Sequence, residues 1–241
     1  MALIIEELTY KFGQKSLIEK ITHAFQPGIV YGILGPNGSG KSTLLKNISG
    51  IWTPTEGQRH WNGKDLRIFS RKDLSKTISL VAQHAPLSFD FNVFDMVSMG
   101  RYAHSPHTSK SIDVIERALK ETHLWDLRHA PMTQISGGEC GRVAIARALA
   151  TEAPVLLFDE PTAHLDLRHQ IEIWNLMQRL AKEGKLIIVA VHDLGAAKRY
   201  CDQLLVLNKG KCVAAGSFTE VITPTLMQEV FGIDSQLHHF I

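Results

Sequence analysis

Gly35-Pro36-Asn37-Gly38-Ser39-Gly40-Lys41-Ser42-Thr43 follows the short apolar run IVYGIL. Gly35, Gly38 and Gly40 leave the backbone bare, so consecutive N–H groups can converge on one small anion. Lys41 adds a positive point charge, and Ser42 and Thr43 open a helix. Written G-x-x-x-x-G-K-[ST], residues 35–42 spell a strand–loop–helix phosphate cradle. The bland alternative is a glycine-rich turn that merely caps a helix. The flanks favour the cradle, because GIVYGILG reads as a buried strand and KSTLLKNISG as a short helix ending at Gly50. Which nucleotide it holds, and for which reaction, stays open at this point.

A second chemical group stands at the end of PVLLFDE, an apolar run closed by Asp159 and Glu160. In parallel α/β sheets the carboxyl ends of strands line the ligand crevice, so these carboxylates can meet phosphates held at Lys41. Asp159 is expected to hold Mg²⁺ through its water shell, with Ser42 supplying a hydroxyl ligand. Glu160 is expected to orient and partly deprotonate an attacking water. A third segment, ISGGECGR, places Ser136, Gly137 and Gly138 before a helix whose free N–H groups suit a second phosphate contact. Ser136 and Glu139 also fit a capping box, and the two roles are compatible.

These groups need elements to carry them. LIIEELTYKF reads as a strand, GQRHWNGKDL as a hairpin around Asn62-Gly63, and TISLVAQ as a strand from Thr77 to Gln83. Residues 87–150 read as a helical insert, with a short helix near VFDMVSMG and a second over SIDVIERALKETHL capped by Ser111. The α/β pattern then resumes. PVLLFDE and KLIIVAVHD are buried strands, a helix runs from Leu167 to Glu183 behind Asp166, and QLLVLNKGKCVAAG is a hairpin turning at 208–210. The whole chain is expected to be one domain, its core made of residues 1–86 and 151–241 around the insert.

Composition limits the partners. Twenty-six basic against 24 acidic residues give a net charge of +2, which carries no footprint for nucleic acid. Three cysteines without close pairing suit a reduced compartment. The N-terminus has no basic segment ahead of a long apolar core, and no run approaches eighteen apolar residues. Twelve histidines invite a metal site, yet none stands at a zinc-like spacing, and only His192 is given a chemical role. Cys201 and Cys212 read as core residues.

Taken in order, these segments spell a family. Over essentially its full length the chain resembles the nucleotide-binding subunits of ABC transporters. Gly35–Thr43 matches the Walker A loop, Gln83 the Q-loop, Ser136–Glu139 the signature, Val155–Glu160 Walker B, Ala163–Asp166 the D-loop and His192 the switch histidine. The resemblance implies a RecA-like P-loop NTPase core with an antiparallel β subdomain and an inserted α-helical subdomain. It implies an ATP sandwiched between the Walker residues of one chain and Ser136, Gly137 and Gly138 of a second copy. Lys41 then binds the β- and γ-phosphates, with Pro36, Asn37, Ser39 and Thr43 in the same loop, and His192 positions the γ-phosphate and the nucleophile. Gln83 senses Mg²⁺, beside Ser42 and Asp159, and links the site to the insert. Asp166 is carried over as a nucleotide contact. Tyr10 matches the adenine-stacking aromatic, with Phe12 as an alternative stacker and a core role as an alternative for Tyr10.

The segments 97–104, 164–170 and 199–233 further resemble the subgroup that serves iron–siderophore, haem and cobalamin uptake. That implies separate permease subunits, an extracytoplasmic substrate-binding protein acting indirectly, and a peripheral place on the cytoplasmic face of the membrane. A soluble ABC ATPase of DNA repair or translation usually needs a long coiled coil or tandem cassettes, which this sequence lacks. A non-catalytic clamp would be favoured by a missing Glu160 or His192, and both are present. Two departures stand beside the signature: Cys140-Gly141 replaces the common polar pair, and Ile135 the usual leucine. Gly141 costs about 1 kcal/mol relative to alanine in a helix.

Overall fold

The computed structural model describes residues 1–82, 91–104, 108–163 and 165–233. β1 (Leu3–Phe12) and β2 (Lys15–Phe25) pair as an antiparallel hairpin; β3 (Val30–Leu34) then enters α1 (Lys41–Ser49). β4 (Glu56–Trp61) returns to β1 and turns into β5 (Lys64–Asp65), giving a four-stranded sheet of order β2-β1-β4-β5. After α2 (Arg71–Thr77) come β6 (Ile78–Val81), α3 (Val93–Ser98), α4 (Ser109–Glu121) and α5 (Gly137–Ala150). The rest alternates: β7 (Val155–Asp159), α6 (Leu167–Lys182), β8 (Leu186–Ala190), α7 (Leu194–Tyr200), β9 (Gln203–Asn208) and β10 (Lys211–Gly216). The described chain closes with α8 (Phe218–Val221) and α9 (Pro224–Phe231).

The second sheet has the order β10-β9-β3-β8-β7-β6 and is parallel except at its β9–β10 edge. Every residue of β3, β7 and β8 is buried, which is why each reads as an unbroken apolar run. One face packs with α1 and the antiparallel sheet, through residues such as Ile33, Leu45, Leu157 and Ile188. The opposite face packs against α6 and α7, through Phe158, Val189, Trp174 and Met177. A smaller core joins α3, α4 and α5, with Val97, Ile115, Leu119 and Val143 inside. α5 serves two cores, because Val143 and Ala146 face that cluster while Ile145 and Ala148 face the parallel sheet.

Two features differ from the sequence expectation. β2 was not anticipated, and its pairing with β1 shows why. The register shifts between Ile5 and Leu8 and again up to Lys11, with Glu7 at φ 50° and Lys20 at φ 48°, so the two-residue alternation is broken by bulges. Thr108, not Ser111, caps α4. Ser111 lies inside the helix, 1% exposed, and its hydroxyl accepts from Arg101 Nε at 3.2 Å. The cap therefore sits a turn earlier, and the inner serine serves a buried guanidinium.

Candidate nucleotide site

Three neighbouring parallel strands, β3, β8 and β7, end on one side of the sheet and deliver Gly35–Lys41, His192 and Asp159-Glu160. The loop after β3 depends on its glycines. A Cβ on Gly35, at φ 150°, would lie 2.2 Å from the Leu207 carbonyl and 2.6 Å from Ser39 Oγ. A Cβ on Gly40, at φ 108°, would lie 2.9 Å from the Leu17 carbonyl of β2. At these two positions the loop is clamped between β2 and β9 with no room for a side chain. Gly40 is also the N-cap of α1 and supplies no side-chain cap, so the first amides of this helix stay open to a ligand.

These amides border a cavity of about 620 Å³ whose lining includes Lys15, Leu17, Asn37, Gly38, Gly40–Thr43, Glu160 and His192. Lys41 Nζ donates to the carbonyls of Gly35 at 2.9 Å and Pro36 at 3.2 Å, which folds the ammonium over the loop. Burial holds its pKa below the ordinary lysine value, against the pull of Glu160 and Asp159. Ser42 Oγ donates to Asp159 Oδ1 at 2.9 Å. His192 Nε2 and Glu160 Oε1 are in direct hydrogen-bonding contact. Glu160 stands at φ 53°, a left-handed conformation costing roughly 1–2 kcal/mol for a residue of this type. Such strain is commonly found where a side chain is held for chemistry.

The donor set fits a polyphosphate and a hard divalent cation. Ser39 Oγ is buried without a hydrogen-bond partner among the described residues, beside open helix amides and a lysine. Asp159 and Ser42 offer adjacent oxygens, the ligand chemistry of Mg²⁺. Burial pushes the Asp159 pKa up, opposed by the Ser42 bond, and Glu160 raises it further. A raised carboxylate pKa means the charged form is penalised, so this cost is absent at low pH and grows as pH rises through the folded pKa. Asp159→Asn is therefore expected to raise the melting temperature of the ligand-free chain at pH 7. The gain should shrink toward pH 4, and thermal denaturation across that range checks it. A variant less stable at pH 7 would contradict the assignment of a burial cost to this carboxylate.

With this geometry in view, the comparison with known proteins is direct. The family model described as ABC transporter matches residues 18–163. The chain belongs to the ABC transporter family. The cobalamin import ATP-binding protein of Halobacterium salinarum is 38% identical over 234 residues, covering 96% of this chain and 59% of that one. The chain therefore spans well under two thirds of that relative's length. The iron(3+)-hydroxamate import ATP-binding protein of Bacillus subtilis is 36% identical over 241 residues, covering 98% of this chain and 90% of that one. A bacterial ABC transporter cassette solved as a dimer superposes with a TM-score of 0.81 at 28% identity, covering 90% of this chain and 98% of that one.

The remaining sequence-derived residues of this ABC cassette are spread out. Ser136 and Gly137 are exposed at the start of α5, and neither they nor Gly138 line the cavity of Lys41, Glu160 and His192. Ser136 Oγ accepts from Glu139 N at 3.2 Å, and Glu139 Oε2 accepts from Ser136 N at 2.7 Å, closing the expected capping box. Asp166 caps α6 by accepting from His169 N at 2.9 Å. Gln83 lies outside the described residues. Tyr10 does not line the cavity. Its ring stacks on Trp52 at 5.1 Å and 12° and packs against the core. Phe12 is 74% exposed and pairs in register with the cavity-lining Lys15. Lys15 and Leu17 were not picked out from the sequence. They sit on β2, the strand hidden by its bulges, and reach the site only because β2 crosses over the phosphate loop.

Proposed function

We propose that this chain is the ATP-hydrolysing subunit of an importer, working as a pair of copies with two nucleotides sandwiched between them. The observation that carries this reading is the separation just described: Ser136 and Gly137 are exposed and, with Gly138, lie away from the chain's own Lys41 cavity. A second copy is what would bring such a segment onto the nucleotide. The relative solved as a dimer supports the same arrangement.

In this site Lys41 holds the β- and γ-phosphates with the α1 amides. Asp159 and Ser42 would hold Mg²⁺, which would offset the negative charge of the phosphates, and the sequence assigns Gln83 to the same ion. Glu160 takes a proton from the attacking water as the water oxygen bonds to the γ-phosphorus and the bond to the leaving oxygen of ADP breaks. His192, bonded to Glu160, orients that carboxylate and reaches the γ-phosphate. We assign the base-stacking role to Phe12 rather than Tyr10, because Phe12 presents an exposed ring beside Lys15, whereas one face of Tyr10 is taken by Trp52.

Coupling needs a membrane partner, since no helix among the described residues is long and apolar enough to cross a bilayer. Of the apolar residues of the insert, Val93 and Met96 are buried and Phe94 packs against the helical core, while Phe91 and Met99 remain 38% and 42% exposed. Leu87 and Phe89 lie outside the described residues. Met99 and Tyr102, the latter 87% exposed, edge a groove of about 240 Å³ between α5 and the β6 edge. This groove is the place for a short permease helix. The kinship of the relatives supports an iron chelate, haem or cobalamin as the cargo class; on this reading an extracytoplasmic binding protein delivers the cargo and the chain works at the cytoplasmic face of the membrane.

Concentration dependence tests the paired reading. Specific ATPase activity of the purified chain should rise with protein concentration across the micromolar range. Ser136→Arg should abolish turnover while lowering the melting temperature by only a few degrees, because Ser136 is exposed and its loss removes one helix cap worth about 1 kcal/mol. Activity independent of concentration would sink the shared site.

A further inference from the structure

Arg142 stands on the same face of α5 as Ser136 and Glu139, at successive three-residue steps. It is 7% exposed, yet poorly satisfied. Its Nη2 lies 3.9 Å from Glu139 Oε1, beyond hydrogen-bonding range, and its buried Nε has no partner among the described residues. A guanidinium carries five donors, and a buried one left short of acceptors is costly. An apolar residue of similar volume would pack there at no loss of stability, so packing does not account for the arginine.

Its surroundings supply the account. α5 lies against the segment leading into α6: a Cβ on Gly141 would touch Leu165 Cδ2 at 4.0 Å. Asp166, next in that segment, is held by the His169 ring at 2.8 and 2.9 Å and lies within electrostatic reach of Arg142. Glu139 is within reach of both Arg142 and His169. Acid and base thus alternate between the start of α5 and the start of α6, with Arg142 the buried member. We infer that Arg142 is a positioning residue that ties the first turns of α5 to the Leu165–Asp166 segment within one chain. Ser136–Gly138 and Asp166 then advance on a second copy's nucleotide as one unit. This rests on the paired reading above. Arg142 lies outside its own chain's Lys41 cavity and is buried beside the exposed Ser136, so it is assigned no nucleotide contact of its own.

The test compares Arg142→Met with the wild type in three measurements. Nucleotide affinity of the separate chain, read with a fluorescent ATP analogue, should be unchanged. The melting temperature should be equal or higher. Turnover at saturating ATP should fall about tenfold, and the protein concentration for half-maximal activity should rise by a similar factor. The double variant with Asp166→Asn should lose little more than either single one, the signature of a shared pathway. Should Arg142→Met fold poorly, Arg142→Lys decides: it keeps the charge but not the fork, and should lose severalfold in turnover at unchanged affinity. Wild-type turnover and concentration dependence in the folded variant, or additive losses with Asp166→Asn, overturn the inference. A wild type without concentration dependence overturns the paired reading first, and this inference with it.

Discussion

Glu160→Gln is expected to yield a chain that binds ATP, pairs with a second copy and turns over about 10²–10⁴-fold more slowly. Glutamine keeps the shape of the side chain and can still bond His192, but it cannot take a proton from water. The backbone cost of φ 53° is the same for both residues, so the substitution changes chemistry rather than folding. The variant should therefore accumulate as a dimer in ATP and dissociate when ATP is withdrawn, a difference readable by size-exclusion chromatography with light scattering. Nucleotide affinity and turnover must be measured separately, because the two are expected to move apart. A glutamine variant with near-normal hydrolysis would remove Glu160 from the role of base and leave His192 as the residue to test.

Much of this site was legible in the sequence because its chemistry is local. Gly35 and Gly40 tolerate no Cβ, and that demand shows as a glycine spacing. The apolar runs ahead of Asp159 and after Gly184 are legible because a strand buried on both faces is almost wholly apolar. What was not legible depends on contacts distant in sequence. β2 is masked by bulges that interrupt alternation, so Lys15 and Leu17 gave no signal. Tyr10 and Phe12 are equal candidates in sequence for a base-stacking aromatic, and the stack of Tyr10 on Trp52, far along the chain, together with the exposure of Phe12 tells them apart. Ser111 looked like a cap because the sequence does not reveal Arg101, the buried group that claims its hydroxyl. Arg142 reads as an ordinary helix surface residue until the Leu165–Asp166 segment is folded against α5.

Lys41→Ala should act on binding itself. In the wild type, ATP at a hundred times its dissociation constant stabilises the folded chain by about 2.7 kcal/mol. For a domain of this size that corresponds to a rise of roughly 5–10 °C in melting temperature. Loss of a charged hydrogen-bonding group costs about 1.5–3 kcal/mol, or roughly 10- to 150-fold in affinity. At the same ATP concentration the shift should then fall to about half or less. The ligand-free protein should behave differently. Burial lowers the pKa of Lys41, so the charged ammonium is a cost at neutral pH, relieved only as pH rises through the folded pKa. Its removal should not lower ligand-free stability at pH 7 by more than a few degrees, as the carbonyls of Gly35 and Pro36 can turn to solvent in the cavity. The two scans, with and without ATP, separate loss of the site from loss of the fold. In cells that carry only the variant, uptake should fail when a ferric chelate, haem or cobalamin is the sole source of the metal or cofactor. Normal growth on all three, with no redundant ATPase present, would refute import while leaving the hydrolytic site intact. An unaltered ATP-induced shift in Lys41→Ala would go further and remove the nucleotide from this cavity.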